Sequence, residues 1–167
     1  MSKVLLPIVF TSWGLFVGHL SGCGNLGPDK CGPQSSKVTE IIDGDTVVIA
    51  GDLKVRYLLI DTPEITGGKD DCYGAEARDY NRDLVLDREV ELRYDQECRD
   101  RFDRLLAYVY IEEREINRLM VERGLACVLY IPPNGDQHYQ EYLNLQFLAQ
   151  QEGRGMWEEC EEVSCVE

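Results

Sequence analysis

Histidine is nearly missing from this chain of 167 residues: it has two, and one of them, His19, lies in an apolar N-terminal stretch. No pair among the seven cysteines has the spacing Cys-x-x-Cys. These shortages argue against a zinc site of His and Cys ligands, and against Ser/His or Cys/His nucleophilic catalysis, because both need imidazoles or paired thiolates at their centre. His138 is most simply a polar residue near a helix start. Basic residues are scarce as well, 17 Lys and Arg against 31 Asp and Glu, for a net charge of −14. That balance lacks the basic footprint on which non-specific affinity for a polyanion depends. There is no internal repeat and no long low-complexity run.

The N-terminus carries its own message. Lys3 precedes an apolar stretch over residues 4–20 that is interrupted by Pro7, Gly14 and Gly18, short for a membrane span of ~20 residues. It reads as a signal peptide over residues 1–22. Its end, Leu20-Ser21-Gly22-Cys23, resembles the bacterial lipobox, after which cleavage leaves Cys23 as a lipid-modified first residue. Several acyl chains on one cysteine anchor stably, at ~0.8 kcal/mol per buried CH₂. The expected location is outside the cytoplasm, on a bacterial membrane, facing the periplasm or the exterior. Gly24 in place of an aspartate points to the outer membrane. Residues 23–36 are rich in Gly, Pro, Ser and Asn and read as the lipidated cysteine plus a flexible tether. The remainder is long enough for one domain with a real core, over residues 37–158, followed by a Cys-containing tail over 159–167. Removing residues 1–23 takes away Lys3 and no acid, so the acidic excess deepens.

Two short strings carry the chemistry, Asp43-Gly44-Asp45-Thr46 and Asp61-Thr62-Pro63-Glu64. Between them lie the β-branched runs 46–49 and 55–60, separated by the turn-rich Gly51-Asp52, which predict a β-hairpin. With a turn centred near Leu53, Asp45 pairs across the ladder with Asp61, and facing residues are about 5 Å apart. Two carboxylates plus backbone carbonyls suit a hard cation such as Ca²⁺. Glu64, in chain stiffened by Pro63, is placed to hold a water as general base. Arg56, on the returning strand, is placed to neutralise phosphate charge. Strict alternation puts Arg56 and Asp61 on opposite faces, so a bend or bulge is required before Asp61. Asp43 is assigned only to the turn.

These strings are where the chain resembles the thermonuclease, or staphylococcal-nuclease-like, family. Besides the two strings and Arg56, the family pattern includes a helix start here written Tyr73-Gly74-Ala75-Glu76-Ala77, and an arginine, here Arg104, ahead of Leu106-Ala107-Tyr108. The resemblance covers residues 38–157. It implies a mainly β, α+β domain: an OB-fold five-stranded barrel with three helices. It implies a Ca²⁺-dependent endonuclease acting on DNA and RNA, in which Asp45, Asp61 and the Thr62 carbonyl bind the metal. Glu64 positions the attacking water, and Arg56 and Arg104 grip the scissile phosphate. In-line attack on phosphorus releases a 5′-hydroxyl and leaves a 3′-phosphate. Arg101 and Tyr130 fall at substrate-contacting positions.

The loop Arg101-Phe102-Asp103-Arg104-Leu105 departs from the common Lys-Tyr-Gly-Arg-Gly. Phe102 cannot donate a hydrogen bond as tyrosine does, and two glycines are replaced. The second aromatic position is Pro132. Weak, salt-sensitive substrate binding is expected. No protein partner is implied, and the chain is expected to be a monomer.

With Cys23 set aside, six cysteines remain, and an even number in an exported chain points to disulfides of unresolved connectivity. By analogy with the family's layout, Cys72 is expected to pair with Cys98, Cys127 with Cys160, and Cys31 with Cys165. The scaffold is read as a helix over 73–86, strands over 89–93 and 106–111, a helix over 116–123, and a last helix with Tyr139, Leu143 and Phe147 on one face, with Trp157 capping the core. Two other classes fit the same residues: a nucleic-acid-binding module without turnover, and a Ca²⁺-stabilised structural lipoprotein.

Overall fold

A tight hairpin starts the fold. In the computed structural model, which describes residues 31–163, β2 (Thr46–Ile49) and β3 (Leu53–Tyr57) pair antiparallel, with Thr46 opposite Arg56 and Ile49 opposite Leu53. Gly51 and Asp52 both take positive φ, 85° and 60°, the left-handed backbone that matches strand twist in a short turn. The turn therefore falls earlier than the sequence alone indicated. Asp45 lies beside Tyr57, whose amide donates to the Asp45 carbonyl at 2.8 Å, and not opposite Asp61.

The required bend does occur. After β3 the chain turns through Leu58 and Leu59, the latter at φ 63°, before the short β4 (Ile60–Asp61). Asn117, fully buried on α2 (Ile116–Glu122), pins it: its Nδ2 donates to the carbonyls of Leu58 at 3.0 Å and Ala107 at 3.2 Å, and its Oδ1 accepts the Val109 amide at 2.9 Å. A buried amide with its bonds made costs little, whereas leaving those backbone groups unpaired would cost ~1–3 kcal/mol each.

Around the hairpin, β1 (Ser35–Ile41) pairs with β2, β5 (Glu89–Arg99) with β1, and β6 (Leu105–Ile111) with β5. Parallel pairing of β3 with β6, Val55 opposite Leu105, closes a five-stranded barrel. Closure removes the free edges of the sheet. The OB-type α+β expectation is thus met. Besides α2 there are α1 (Gly74–Val85), α3 (Tyr139–Gln151) and the four-residue α4 (Met156–Glu159), so three of the helices described have seven or more residues. β7 (Arg114–Glu115) pairs antiparallel with β6, and β8 (Cys127–Val128) pairs with β4.

The core follows from alternation. Val90, Leu92 and Tyr94 point inward from β5 while Glu89, Glu91 and Arg93 face out, and Val38, Val47, Ile49, Val55, Leu105, Ala107 and Val109 complete the barrel interior. Each large aliphatic side chain so buried contributes ~1.5–3 kcal/mol. The face of α3 differs from the expected one: Tyr142, Leu145 and Ala149 are buried, and Phe147 is 58% exposed. In α4, Met156 is fully buried and Trp157 only partly.

The disulfides correct the expected pairing. Cys31 joins Cys98 and Cys72 joins Cys160, in place of Cys72 with Cys98, Cys127 with Cys160 and Cys31 with Cys165. Cys127 is also disulfide-bonded. The reason lies in register: the chain ahead of β1 continues alongside β5, the Gln34 carbonyl accepting from Leu92 at 2.8 Å and the Pro33 carbonyl from the Tyr94 hydroxyl at 2.7 Å, which delivers Cys31 to Cys98. Cys72, just before α1, meets Cys160 at the end of α4, with Cα atoms 5.9 Å apart. Residues 31–36 of the expected tether thus lie along the barrel. The signal segment 1–22, the lipidation candidate Cys23 and Cys165 lie outside the described residues.

Candidate active site

The bend after β3 folds Asp61 back over Arg56. Arg56 Nη2 donates to Asp61 Oδ1 at 2.7 Å, and its Nη1 lies 3.0 Å from Asp45 Oδ2 and donates to the Ile60 carbonyl at 2.7 Å. One guanidinium thus bridges the two acids that the hairpin register does not bring opposite each other. Asp45, almost fully buried, is held from both sides: its Oδ1 accepts the Thr46 hydroxyl at 3.0 Å and its Oδ2 the Thr62 amide at 2.8 Å.

These groups line a polar cavity of about 260 Å³ together with Asp43, Glu64, Phe102 and Arg104. The structure therefore gathers six sequence-predicted residues, Asp45, Asp61, Thr62, Glu64, Arg56 and Arg104, around one space. Its negative charge is under-compensated. Burial pushes the Asp43 carboxyl up to about 7, with the Asp45 charge adding to the effect. Asp61 is pushed up to about 6, chiefly by burial and then by its acidic neighbours Asp45 and Glu64, against the pull of Arg56.

Glu64 differs. Partial burial acts to raise its carboxyl, but hydrogen bonds from the Thr66 hydroxyl at 2.5 Å and the Thr66 amide at 2.9 Å outweigh it, and its pKa is lowered. Both bonds fall on Oε1, and the Ile65 backbone amide adds to the lowering. Its backbone is clasped by Asp71, whose amide donates to the Glu64 carbonyl at 3.0 Å.

Arg104 is oriented by a residue that sequence reasoning missed. Asp100 accepts Arg104 Nε at 2.7 Å on Oδ2 and the amides of Phe102 and Arg104 on Oδ1 at 2.9 and 3.0 Å. An aspartate four residues before the arginine, inside a turn, was the available signal. Asp103 stands at φ 64° where the common loop pattern has glycine, and its side chain and carbonyl take up Arg99. Leu105, the other replaced glycine, is fully buried in β6.

The remaining substrate candidates are placed differently. Arg101 lines a neighbouring, mainly apolar cavity of about 550 Å³ with Arg56, Leu58, Phe102, Arg104 and Ile131. Phe102, 64% exposed, borders both cavities. Tyr130 borders neither; its ring stacks on Tyr139 with centroids 4.5 Å apart, and its hydroxyl is bonded to Asp136.

A closed barrel presenting clustered carboxylates and two arginines around one polar cavity is the architecture of a phosphodiester hydrolase. Residues 54–159 match the family described as staphylococcal nuclease homologue. The chain is 33% identical to the thermonuclease of Staphylococcus hyicus over 94% of its own length and 99% of that protein, and 32% identical to the thermonuclease of Staphylococcus intermedius over 75% and 77%. It is also 32% identical, over 90% of its length and 78% of the relative's, to an uncharacterized endonuclease of Haemophilus influenzae. The chain belongs to the staphylococcal nuclease family and is a nuclease.

Proposed function

We propose that this protein is a Ca²⁺-dependent endonuclease that hydrolyses DNA and RNA and leaves 3′-phosphate ends. The observation that carries the reading is the single cavity in which Asp45, Asp61, Glu64, Arg56 and Arg104 converge. The donor set fits a hard cation. It is all oxygen, its carboxylates Asp43 and Asp61 are held above their ordinary range by burial first and by neighbouring negative charge second, and the crowding of carboxylates is what a divalent ion relieves. Among the described residues no group of three or more His, Cys, Asp or Glu forms a ready cage. Asp45, Asp61 and the Thr62 carbonyl would hold the ion, with water completing its shell. Bound there, Ca²⁺ supplies charge neutralisation at the phosphate.

The chain's own groups do the rest. Glu64, its carboxyl held below the ordinary range by its hydrogen bonds, orients a water for in-line attack on phosphorus. Arg104, its Nε fixed by Asp100, keeps both Nη groups without a hydrogen bond among the described residues and can meet the oxygens on which charge grows in the transition state. Arg56 adds positive charge at the cavity floor. The phosphorus–oxygen bond to the 5′ carbon's oxygen breaks, giving a 5′-hydroxyl. The acidic surface makes substrate binding weak and salt-sensitive.

Export and lipid anchoring through Cys23 complete the proposal, supported by the apolar run and the Leu20-Ser21-Gly22-Cys23 string. A monomer acting on extracellular or periplasmic nucleic acid is the expected form.

The test is cleavage of single-stranded DNA at low salt by the protein from Gly24 onward, with Ca²⁺ or with EDTA. Cutting that requires Ca²⁺ and disappears in Glu64→Gln, with Ca²⁺ binding kept, is the expected result. A folded protein that binds Ca²⁺ and does not cut would instead be a binding or structural lipoprotein.

A further inference from the structure

The three disulfide-bonded positions that accompany the site share a placement. Cys98 immediately precedes the loop that carries Arg104, Cys72 ends the loop that carries Glu64, and Cys127 lies directly opposite Asp61 in the β4–β8 pair. The segments that supply Arg104, Glu64 and Asp61 thus each lie next to a disulfide-bonded cysteine.

The first of these segments needs fastening because it has left the sheet. β5 is in register with β6 up to Tyr94 opposite Ala107 and again at Arg99 opposite Leu105, so residues 95–98 stand against Leu106 alone, three more than the ladder needs. They are held by substitutes. Asn134, buried, exchanges bonds with the Glu97 backbone at 2.8 and 3.0 Å, Asp95 accepts the Gly135 amide at 2.7 Å, and Cys98 is bonded to Cys31. The Arg99–Leu105 pair that closes the arginine loop is rooted on this excursion. The second segment, residues 62–73, has no regular structure. Its internal support is the exchange between Glu64 and Asp71, and Cys72 is the next residue. Apart from the Arg99–Leu105 pair, the barrel ladders lie within residues 35–57, 89–94 and 105–111, away from both bonds, and Val85, Met120 and Tyr142 of the helices pack onto the same core.

We infer that the Cys31–Cys98 and Cys72–Cys160 disulfides are positioning devices, one for Arg104 and one for Glu64, and that the reduced chain keeps its barrel but not its site. The inference rests on the nuclease reading above. Its consequence is an enzyme that gains activity only on oxidation. Each disulfide forms from two thiols, which lose two protons and two electrons to a disulfide oxidant by thiol–disulfide exchange.

The test compares the oxidised protein, the protein reduced by dithiothreitol, and the double variants Cys31→Ser/Cys98→Ser and Cys72→Ser/Cys160→Ser. Dithiothreitol gives up two electrons and two protons per bond and closes to its cyclic disulfide, and oxidised glutathione reverses the step. Expected is a loss of kcat of at least tenfold in each, recovered on reoxidation of the wild-type protein. Amide exchange should quicken over residues 62–73 in one double variant and 97–104 in the other, while Val47, Val55 and Leu92 stay protected. Val90→Ala, a core truncation in β5 remote from both loops, should lower Tm and leave kcat within twofold, which separates positioning from stability. Asn134→Ser loosens the arginine loop with both bonds intact and should lower kcat in the same direction.

Unchanged kcat in the double variants would overturn the inference, as would loss of barrel protection together with the loops. Should a double variant fail to fold, an unchanged kcat in Asn134→Ser would also overturn it. An inactive oxidised wild-type protein would instead remove the nuclease reading, and the exchange pattern would then decide the inference alone.

Discussion

Arg56 donates to Asp61 at 2.7 Å although the two sit five residues apart and on opposite sides of a turn, because the chain doubles back at Leu58 and Leu59 between them. The same guanidinium reaches Asp45 at 3.0 Å, and all three side chains are largely buried. Arg56 is therefore the counter-charge that the Asp45 and Asp61 carboxylates share within the fold.

Its removal should be costly. Stripping one partner from a buried pair leaves uncompensated charge and destabilises by ~3–5 kcal/mol. Arg56→Ala is expected to lower Tm in EDTA, and Ca²⁺ should restore more Tm to the variant than it adds to the wild-type protein. Equal Ca²⁺-induced shifts in the two melts would mean that the ion does not share the carboxylates with Arg56.

Asp43 gives a pH signature. Its carboxyl is raised to about 7 in the folded chain, against ~3.9 when unfolded, so the folded state binds more protons. The associated destabilisation is absent below about pH 4, grows as pH rises through that window, and is complete above about 7. Asp43→Asn, which keeps an Oδ1 acceptor for the Asp45 amide, should raise the metal-free Tm at pH 8, raise it less at pH 5 and change it little at pH 4. Melting both proteins across that range checks the sign.

Asp100 should act through Arg104. Freeing the arginine from its Nε bond loosens a transition-state contact, and misplacement on the scale of 1 Å costs up to ~10²-fold in rate. Asp100→Ala is expected to lower kcat by about tenfold to a hundredfold, with Ca²⁺ affinity unchanged by calorimetry. Asp100→Glu should recover part of the loss, and a change confined to KM would assign Asp100 to binding alone.

Asp103 is strained, with φ at 64°, a conformation that costs a non-glycine residue on the order of 1 kcal/mol. Its ion pair with Arg99 is exposed and worth less than that. Asp103→Gly should raise Tm slightly and tighten single-stranded DNA binding at low salt by removing a negative charge beside Arg104. Fluorescence anisotropy titrations at two salt concentrations would show it.

Much of the site was legible because it is written in short contiguous strings: Asp43 to Thr46 and Asp61 to Glu64 carry their own turns and bring several groups at once. The hairpin, the inward faces of β5 and the helix ends near Val85 and Glu122 were equally local, set by alternation, by glycine at Gly51 and by the stop at Gly124. What failed needed distance. The phase of α3 depends on which side faces the barrel, so Tyr142 and Leu145 are buried and Phe147 is not. The stacking of Tyr130 on Tyr139 was also not legible, because no string predicts that neighbour.

Sequence by itself determined the residue types of the site and the need for a break before Asp61, since these follow from side-chain chemistry and the period-2 geometry of a strand, and it implied the barrel through the family resemblance of its short strings. Tertiary structure alone decided the hairpin register, the bridging of Asp45 and Asp61 by Arg56, the hold of Asp100 on Arg104, and the pairing of Cys31 with Cys98 and Cys72 with Cys160. Each of those depends on where a bend or a bulged strand delivers an atom in space. The possible partners along the chain are many, and only the packed barrel makes one of them close.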